Sequence, residues 1–212
     1  MDTSELIKTL AADTRRPSVP LPTMWWGAAA IAAFLAAGVF FAALGPRPDI
    51  AAASATPRFL FKFLFAITLA ASAFGCVRAL SRPGADWRNA ALCIAAAPAL
   101  LAMAVIAELF ALSPATWLAA LIGRNGLVCM TYIPLIGLGP LAIFLWILHC
   151  SAPTRPAVAG SVAGLLAGGI GAFAYAAHCN DDSPLFVATW YTLAIVGLAA
   201  LGAIGASRFA RW

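Results

Sequence analysis

Charge is scarce in this sequence. Only 10% of its 212 residues are charged, whereas 63% are hydrophobic. Ordinary globular proteins have roughly 25% charged and about 45 to 50% apolar residues. A water-soluble core does not need so many apolar residues, and the polar segments that remain are too short to form a soluble domain. The composition therefore predicts a protein whose main solvent is lipid.

Motifs for catalysis are also missing. The sequence has no Gly-x-Ser-x-Gly, His-Glu-x-x-His or Cys-x-x-Cys motif, and no glycine-rich phosphate loop. The middles of the long apolar runs contain no ionisable residue, although membrane enzymes and transporters usually keep such groups there for function. These absences argue against hydrolases, zinc proteases and disulfide-exchange enzymes. We expect a protein that is not an enzyme and has no resident cofactor.

Six apolar runs are each long enough to cross a bilayer. A helix needs about 20 residues to cross roughly 30 Å of hydrocarbon, and the runs lack the alternating pattern of a barrel strand. The sequence therefore predicts an all-α, polytopic bundle of six transmembrane helices, with an N-terminal segment 1–24, a membrane domain 25–206 and a tail 207–212. The predicted spans are 25–44, 59–80, 90–112, 127–148, 157–177 and 185–206.

Lys and Arg are shared unevenly between the two sides that six spans define. Because cytoplasmic loops carry the excess of these residues, we expect both termini in the cytoplasm of a cell whose inner membrane holds the protein. No cleavage pattern follows the first span, so no cleaved signal peptide is expected. The side of the termini holds nine, Lys8, Arg15, Arg16, Arg78, Arg82, Arg88, Arg155, Arg208 and Arg211, and the other side holds four, Arg47, Arg58, Lys62 and Arg124. Scattered in this way, they do not predict direct nucleic-acid binding.

Small residues and prolines mark two of the spans. Gly160, Gly164, Gly168 and Gly171 form a small-xxx-small ladder in the fifth span, which lets a second helix backbone approach closely. We therefore expect the fifth span to be the packing centre of the bundle. Pro134 and Pro140 remove helical hydrogen bonds in the fourth span and predict a bend there.

Two charged residues lie near the outer ends of predicted spans. Lys62 is one turn inside the second span, where its long side chain is expected to extend outward to water. Glu108 is one turn from the outer end of the third span. We expect Glu108 to form a structural ion pair with Lys62 or Arg58.

The five cysteines fall into two groups. Cys76, Cys93 and Cys150 lie near cytoplasmic span ends, where a thiol stays reduced and usually serves as a small apolar filler. Cys129 and Cys179 lie at the opposite, oxidising side. A static disulfide, a redox- or metal-responsive thiol pair and two unconnected thiols all remain open for them. His178, Asp181 and Asp182 add potential ligands for a transiently bound soft metal ion.

The N-terminal segment has a pattern of its own. Leu6, Ile7, Leu10 and Ala11 recur at the spacing of one apolar helix face. A helix of about ten residues is marginal alone in water, so this face needs a partner. The segment lacks the Lys, Arg and aromatic residues of membrane-surface helices, which favours a protein groove.

The chain as a whole resembles the NrsF-type integral membrane anti-sigma factors. The resemblance extends over nearly the full length, and its strength lies in the order and spacing of short motifs within a six-span setting. The matching segments are the amphipathic start 6–13, the Pro-rich tether, Gly45-Pro46-Arg47-Pro48-Asp49, Pro57-Arg58-Phe59, Arg82-Pro83-Gly84, His178-Cys179, Asp182-Ser183-Pro184-Leu185-Phe186 and the closing segment 208–212.

The resemblance implies a function in transcriptional regulation. It implies that the protein holds an extracytoplasmic-function sigma factor at the membrane until an envelope, metal or redox stress arrives. Cys129 and Cys179 would match the sensing cysteines of such proteins, and the apolar face of the N-terminal helix would grip the sigma factor. The alternative is a small transporter or channel subunit, which the lack of polar groups in the span centres disfavours. A third alternative is a membrane thiol oxidoreductase, which would need a reactive thiol and a redox partner. The missing Cys-x-x-Cys motif disfavours it most.

Overall fold

A computed structural model describes residues 2–13, 20–82, 87–151 and 153–210, with the side chains of 10–13 and 87 not described. Residues 14–19 of the predicted tether 13–22, Pro83 and Gly84 of the second loop, and the end of the tail at Arg211 and Trp212 lie outside the described residues. The described chain is all-α and contains six helical segments long and apolar enough to cross a membrane. The predicted fold class is confirmed.

Within the described chain, the six spans are built from eight helices and one π-helical turn. In chain order the helices are α1 (Thr3–Asp13), α2 (Leu21–Ala43), α3 (Ile50–Ala53), α4 (Pro57–Leu80), α5 (Trp87–Ile94), α6 (Ala96–Ala111), α7 (Pro114–Ile122), α8 (Gly126–Ser151), α9 (Pro156–Ala176), α10 (Pro184–Phe186) and α11 (Thr192–Phe209). Helix α1 precedes the first span, and two further short helices, α3 and α7, lie between spans. Helices α5 and α6 form the third span. Helix α10, the π-turn Val187–Tyr191 and α11 form the sixth.

The spans run up and down, so the bundle has two ends. We call the end where α4 and α8 finish, and where the described chain enters at Leu21 and leaves at Phe209, the terminal end. The opposite end, where α2, α6 and α9 finish, is the distal end. Prolines at the first turns of α4, α7, α9 and α10 fit these starts, because the first helical N–H groups need no partner within the helix.

Helix α9 is the packing centre of the bundle, as its glycine ladder predicts. Of its most apolar window 61% is buried, against 11% for the third span. A Cβ atom at Gly160 or Gly164 would collide with the backbone carbonyls of Gly202 and Leu198 on α11, and one at Gly171 would lie 2.6 Å from the Ile133 carbonyl on α8. Two neighbouring helices therefore approach α9 backbone to backbone.

Two features of the fold go beyond the predicted spans. Helix α7 lies between the third and fourth predicted spans, where no helix is expected, and it ends at Ile122, before Gly123, whose φ of 59° is left-handed. The sixth span contains a π-turn, which inserts one extra residue into the helix. Helix α8 is continuous through Pro134 and Pro140, and the bend expected there stays a prediction.

Candidate functional site

The N-terminal helix α1 presents apolar side chains to its surroundings. Leu6 is 42% exposed and Ile7 is 61% exposed. The helix starts where Glu5 and Leu6 donate backbone hydrogen bonds to the Asp2 carbonyl. The backbones of Leu10 and Ala11 belong to the same helix, but their side chains lie outside the described ones. The described part of α1 thus carries two uncovered apolar residues.

The distal end contains a buried ionic network centred on Asp182. The Lys62 ammonium lies 2.6 Å from one Asp182 oxygen, and the Arg47 guanidinium lies 3.0 Å from the other. The Lys62 side chain is fully buried, so the expectation that it extends outward to water is wrong. Asp182 supplies the opposite charge that a buried ammonium requires.

Arg47 also binds Asp49 in the loop after α2. Its Nε lies 2.7 Å from an Asp49 oxygen. This hydrogen bond raises the pKa of Arg47 and, for the same reason, holds the pKa of Asp49 below its usual range. Two carboxylates therefore flank one guanidinium at this end of the bundle.

The same two cations hold the turn that carries Cys179. Lys62 Nζ donates to the Cys179 carbonyl at 2.8 Å, and Arg47 Nη1 donates to it at 3.2 Å. The backbone N–H of Arg47 donates to the Ala177 carbonyl at 3.0 Å. The ends of α2 and α4 are thereby tied to the turn between α9 and α10.

Asp181 ties this turn to the start of α8. One of its oxygens accepts from the backbone N–H groups of Arg124 and Asn125, at 3.1 and 2.8 Å, and from the Asn125 side chain at 2.9 Å. The Asn125 carbonyl in turn accepts the backbone N–H of Cys129 at 2.8 Å. These hydrogen bonds connect the turn that carries Cys179 to the backbone of Cys129, and both cysteines belong to one apolar cluster.

The two thiols are buried and free. Cys129 is fully buried, Cys179 is 1% exposed, and no disulfide joins them. Cys179 Sγ makes a 3.7 Å contact with the Asp181 carbonyl. Burial raises the pKa of the Cys179 thiol, which the nearby Lys62 ammonium partly opposes. At neutral pH Cys179 is therefore a protonated thiol.

The other predicted ligands are not gathered around these thiols. The His178 ring bonds through Nδ1 to the Gly45 carbonyl at 3.0 Å, Asp181 binds the residues just before α8, and Asp182 pairs with Lys62 and Arg47. Within the described ranges, no group of three or more His, Cys, Asp or Glu side chains is arranged to hold a metal ion.

A second ion pair lies beside the network. Glu108 is paired with Arg58 at 3.0 Å and accepts the Ser183 hydroxyl at 3.2 Å. This is one of the two pairings expected for Glu108; Lys62 is taken by Asp182 instead. The Lys62–Asp182 pair is not among the predicted pairings, although a lone cation inside a span and a short acidic loop at the same end of the bundle could have indicated it.

The full length of the chain has relatives with known names. It is 34% identical over 218 residues to the anti-sigma-F factor NrsF of Caulobacter vibrioides, with 100% of both chains covered. It is 33% identical over 221 residues to the probable anti-sigma-F factor NrsF of Azospira oryzae, again with 100% coverage of both. Residues 10–212 match the family described as negative regulator of sigma F. The chain belongs to the NrsF family.

No solved structure matches this chain significantly. The family match at 10–212 includes the distal network and both of its thiols, whereas Leu6 and Ile7 precede it. In this NrsF family member the two candidate regions therefore differ in whether the family match covers them. The distal site lies inside the shared region, and the exposed apolar start of α1 lies before it.

Proposed function

We propose that this chain is a membrane-bound anti-sigma factor, not an enzyme, that sequesters an extracytoplasmic-function sigma factor. The observation that carries the proposal is the full-length similarity to two proteins named as anti-sigma-F factors. The protein lies in the inner membrane with both termini in the cytoplasm, and it controls transcription through the sigma factor without contacting nucleic acid itself.

In this proposal α1 is the element that grips the sigma factor. The exposure of Leu6 and Ile7 supports it, because an uncovered apolar helix face in water favours docking into a groove of a partner. Leu10 and Ala11 continue the same face in the sequence pattern. The predicted tether 13–22 joins this segment to the first span.

In the same proposal the distal thiols detect the stress. Oxidation of Cys129 and Cys179 or binding of a soft metal ion would change how the turn after α9 is held against α8. The hydrogen bonds of Asp181 to Arg124 and Asn125 support such coupling. Release of the sigma factor follows only if two packings of the bundle lie within a few kcal/mol of each other.

The first prediction tests the role of α1. Leu6→Asp or Leu10→Asp should abolish co-purification of the sigma factor with the full chain from native membranes, because a carboxylate on the docking face must be desolvated on binding. Bound sigma factor is identified and quantified by mass spectrometry of the purified complex.

Lys8→Asp is the matched control. It makes a larger charge change on the polar side of the same helix, and capture should persist. Full capture by the Leu6 and Leu10 variants would move the binding site to the loops of the terminal end.

A further inference from the structure

Two buried tyrosines at the distal end have hydroxyl groups without a hydrogen-bond partner. Tyr175 on α9 and Tyr191 in the π-turn are both fully buried, and neither hydroxyl forms a hydrogen bond. Their ring centroids are 5.8 Å apart. Leaving a buried hydroxyl unpaired is unfavourable, and native proteins rarely do so without a reason. We therefore expect the two phenol hydroxyls to find a hydrogen-bond acceptor in another state of the protein.

The groups next to both phenols are the two distal thiols. Cys129, Cys179, Tyr175 and Tyr191 belong to one buried cluster. Tyr175 lies one turn before Cys179, whose backbone N–H donates to the Tyr175 carbonyl at 3.1 Å. A neutral thiol is a weak acceptor, whereas a thiolate is a strong one. The phenol O–H groups are thus placed to donate hydrogen bonds to negatively charged sulfur.

The donor set suits a soft ion of low coordination number. His178, Asp181 and Asp182 are engaged elsewhere, and the described residues offer no third His, Cys, Asp or Glu to the thiols. A tetrahedral zinc site needs four ligands. Two thiolates suffice for a thiophilic monovalent cation such as Cu⁺, and the resulting bis-thiolate carries one net negative charge that nearby O–H donors can stabilise.

We propose that Cys129 and Cys179 bind a thiophilic monovalent cation as two thiolates, and that Tyr175 and Tyr191 donate hydrogen bonds to the two sulfur atoms in that state. Two S–H bonds break, two sulfur–metal bonds form, two protons leave to solvent, and no electron is transferred. A disulfide would carry no such charge and would leave both hydroxyls unpaired, so the phenols favour metal binding over oxidation. This inference rests on the proposed sensing function of the thiols and names its ligand class.

The test uses Cu⁺ as the probe. The purified full chain in detergent, kept anaerobic with ascorbate, competes for Cu⁺ with a chromophoric chelator of known affinity. Tyr175→Phe and Tyr191→Phe should each weaken Cu⁺ binding about tenfold, the factor expected for one lost hydrogen bond to a charged acceptor. Tyr132→Phe, which changes the remaining tyrosine on the partly exposed side of α8, is the matched control and should bind like the parent.

Two further measurements separate this role from a packing role. Without metal, the Phe variants should unfold at the same or a higher temperature than the parent, because they remove an unpaired hydroxyl. The yield of a Cys129–Cys179 disulfide on treatment with diamide should be unchanged. A lower melting temperature of the metal-free variants, or a parallel loss of both thiol reactions, would overturn the inference in favour of packing.

The two proposals fail in different ways. If the Cys129→Ser and Cys179→Ser double variant binds Cu⁺ like the parent, this inference fails, whereas sensing by oxidation of the thiols and sequestration of the sigma factor are unaffected; the co-purification experiment tests sequestration separately. If that double variant loses binding while Tyr175→Phe and Tyr191→Phe bind as tightly as Tyr132→Phe, only the role of the phenols is overturned.

Discussion

At the scale of single residues, the Lys62–Asp182 pair decides how charge is kept inside the distal end. Lys62 is fully buried, and its ammonium is satisfied by one carboxylate oxygen and one backbone carbonyl. Asp182 has a second cation in Arg47. The two members of the pair are therefore unequal, since loss of Asp182 strands a buried cation, whereas loss of Lys62 leaves a carboxylate that is still paired.

This asymmetry gives a prediction for stability. Asp182→Asn should destabilise the protein by about 3–5 kcal/mol, the range for removing one partner of a buried ion pair. Lys62→Met should cost less, and the Lys62→Met, Asp182→Asn double variant should recover part of the loss. Thermal unfolding in detergent at neutral pH measures all three.

Asp49→Asn is the control, because Asp49 is 57% exposed and its pair with Arg47 is worth little. Equal destabilisation by Asp182→Asn and Asp49→Asn would contradict the assigned role of Asp182. The sequence could not rank these two carboxylates, because both lie in short loops beside basic residues and only tertiary packing separates them.

At the scale of helices, close backbone contact replaces side-chain packing along α9. Gly164 lies against the backbone of Leu198 and Ala199 on α11. In lipid, helices gain little from burying apolar surface against each other, so van der Waals contact between close backbones supplies much of the association. Glycine is required here for space, since only its missing Cβ permits the approach.

Gly164→Ala tests this contact. The new methyl group would collide with the Leu198 carbonyl, and forcing α9 and α11 apart should cost about 1–3 kcal/mol. Gly197→Ala, on α11 where no atom lies within 4 Å of the added Cβ, should be neutral or slightly stabilising. Denaturant unfolding in mixed micelles measures the difference, and equal effects would argue against backbone packing at Gly164.

The helices show which parts of the fold the sequence determines locally. The six spans and the glycine ladder follow from apolar length and small-residue spacing, and both were predicted. Helix α7 was not predicted, because its apolar sequence is too short to form a span of its own. Pro114 at its start and the left-handed Gly123 after its last residue do mark its ends. The local sequence does not indicate the π-turn at Val187–Tyr191. Its Trp190 indole N–H donates to the carbonyls of Leu121 and Ile122 on α7, a contact that depends on tertiary packing.

At the scale of the whole molecule, polar side-chain contacts join several helices and loops at the distal end. Asp181, Asp182, Arg47, Lys62 and Glu108 connect the turn after α9 to α4, α6, the loop after α2 and the start of α8. The sequence placed these residues on one side of the bundle, but their pairing depends on how six helices converge. A chemical change at Cys129 or Cys179 would therefore act on several spans together.

The orientation of the bundle in the membrane decides which compartment the two distal thiols face. The excess of Lys and Arg on the side of the termini predicts that the distal end faces the periplasm. In intact cells, Ala55→Cys, in the exposed turn before α4, should therefore gain labelling by a membrane-impermeant maleimide over the parent chain. Ser4→Cys on α1 should gain none until the inner membrane is permeabilised. Labelling of the Ser4 variant in intact cells would place α1 outside and the two distal thiols in the reducing cytoplasm, where neither sigma-factor capture nor envelope sensing could occur as proposed.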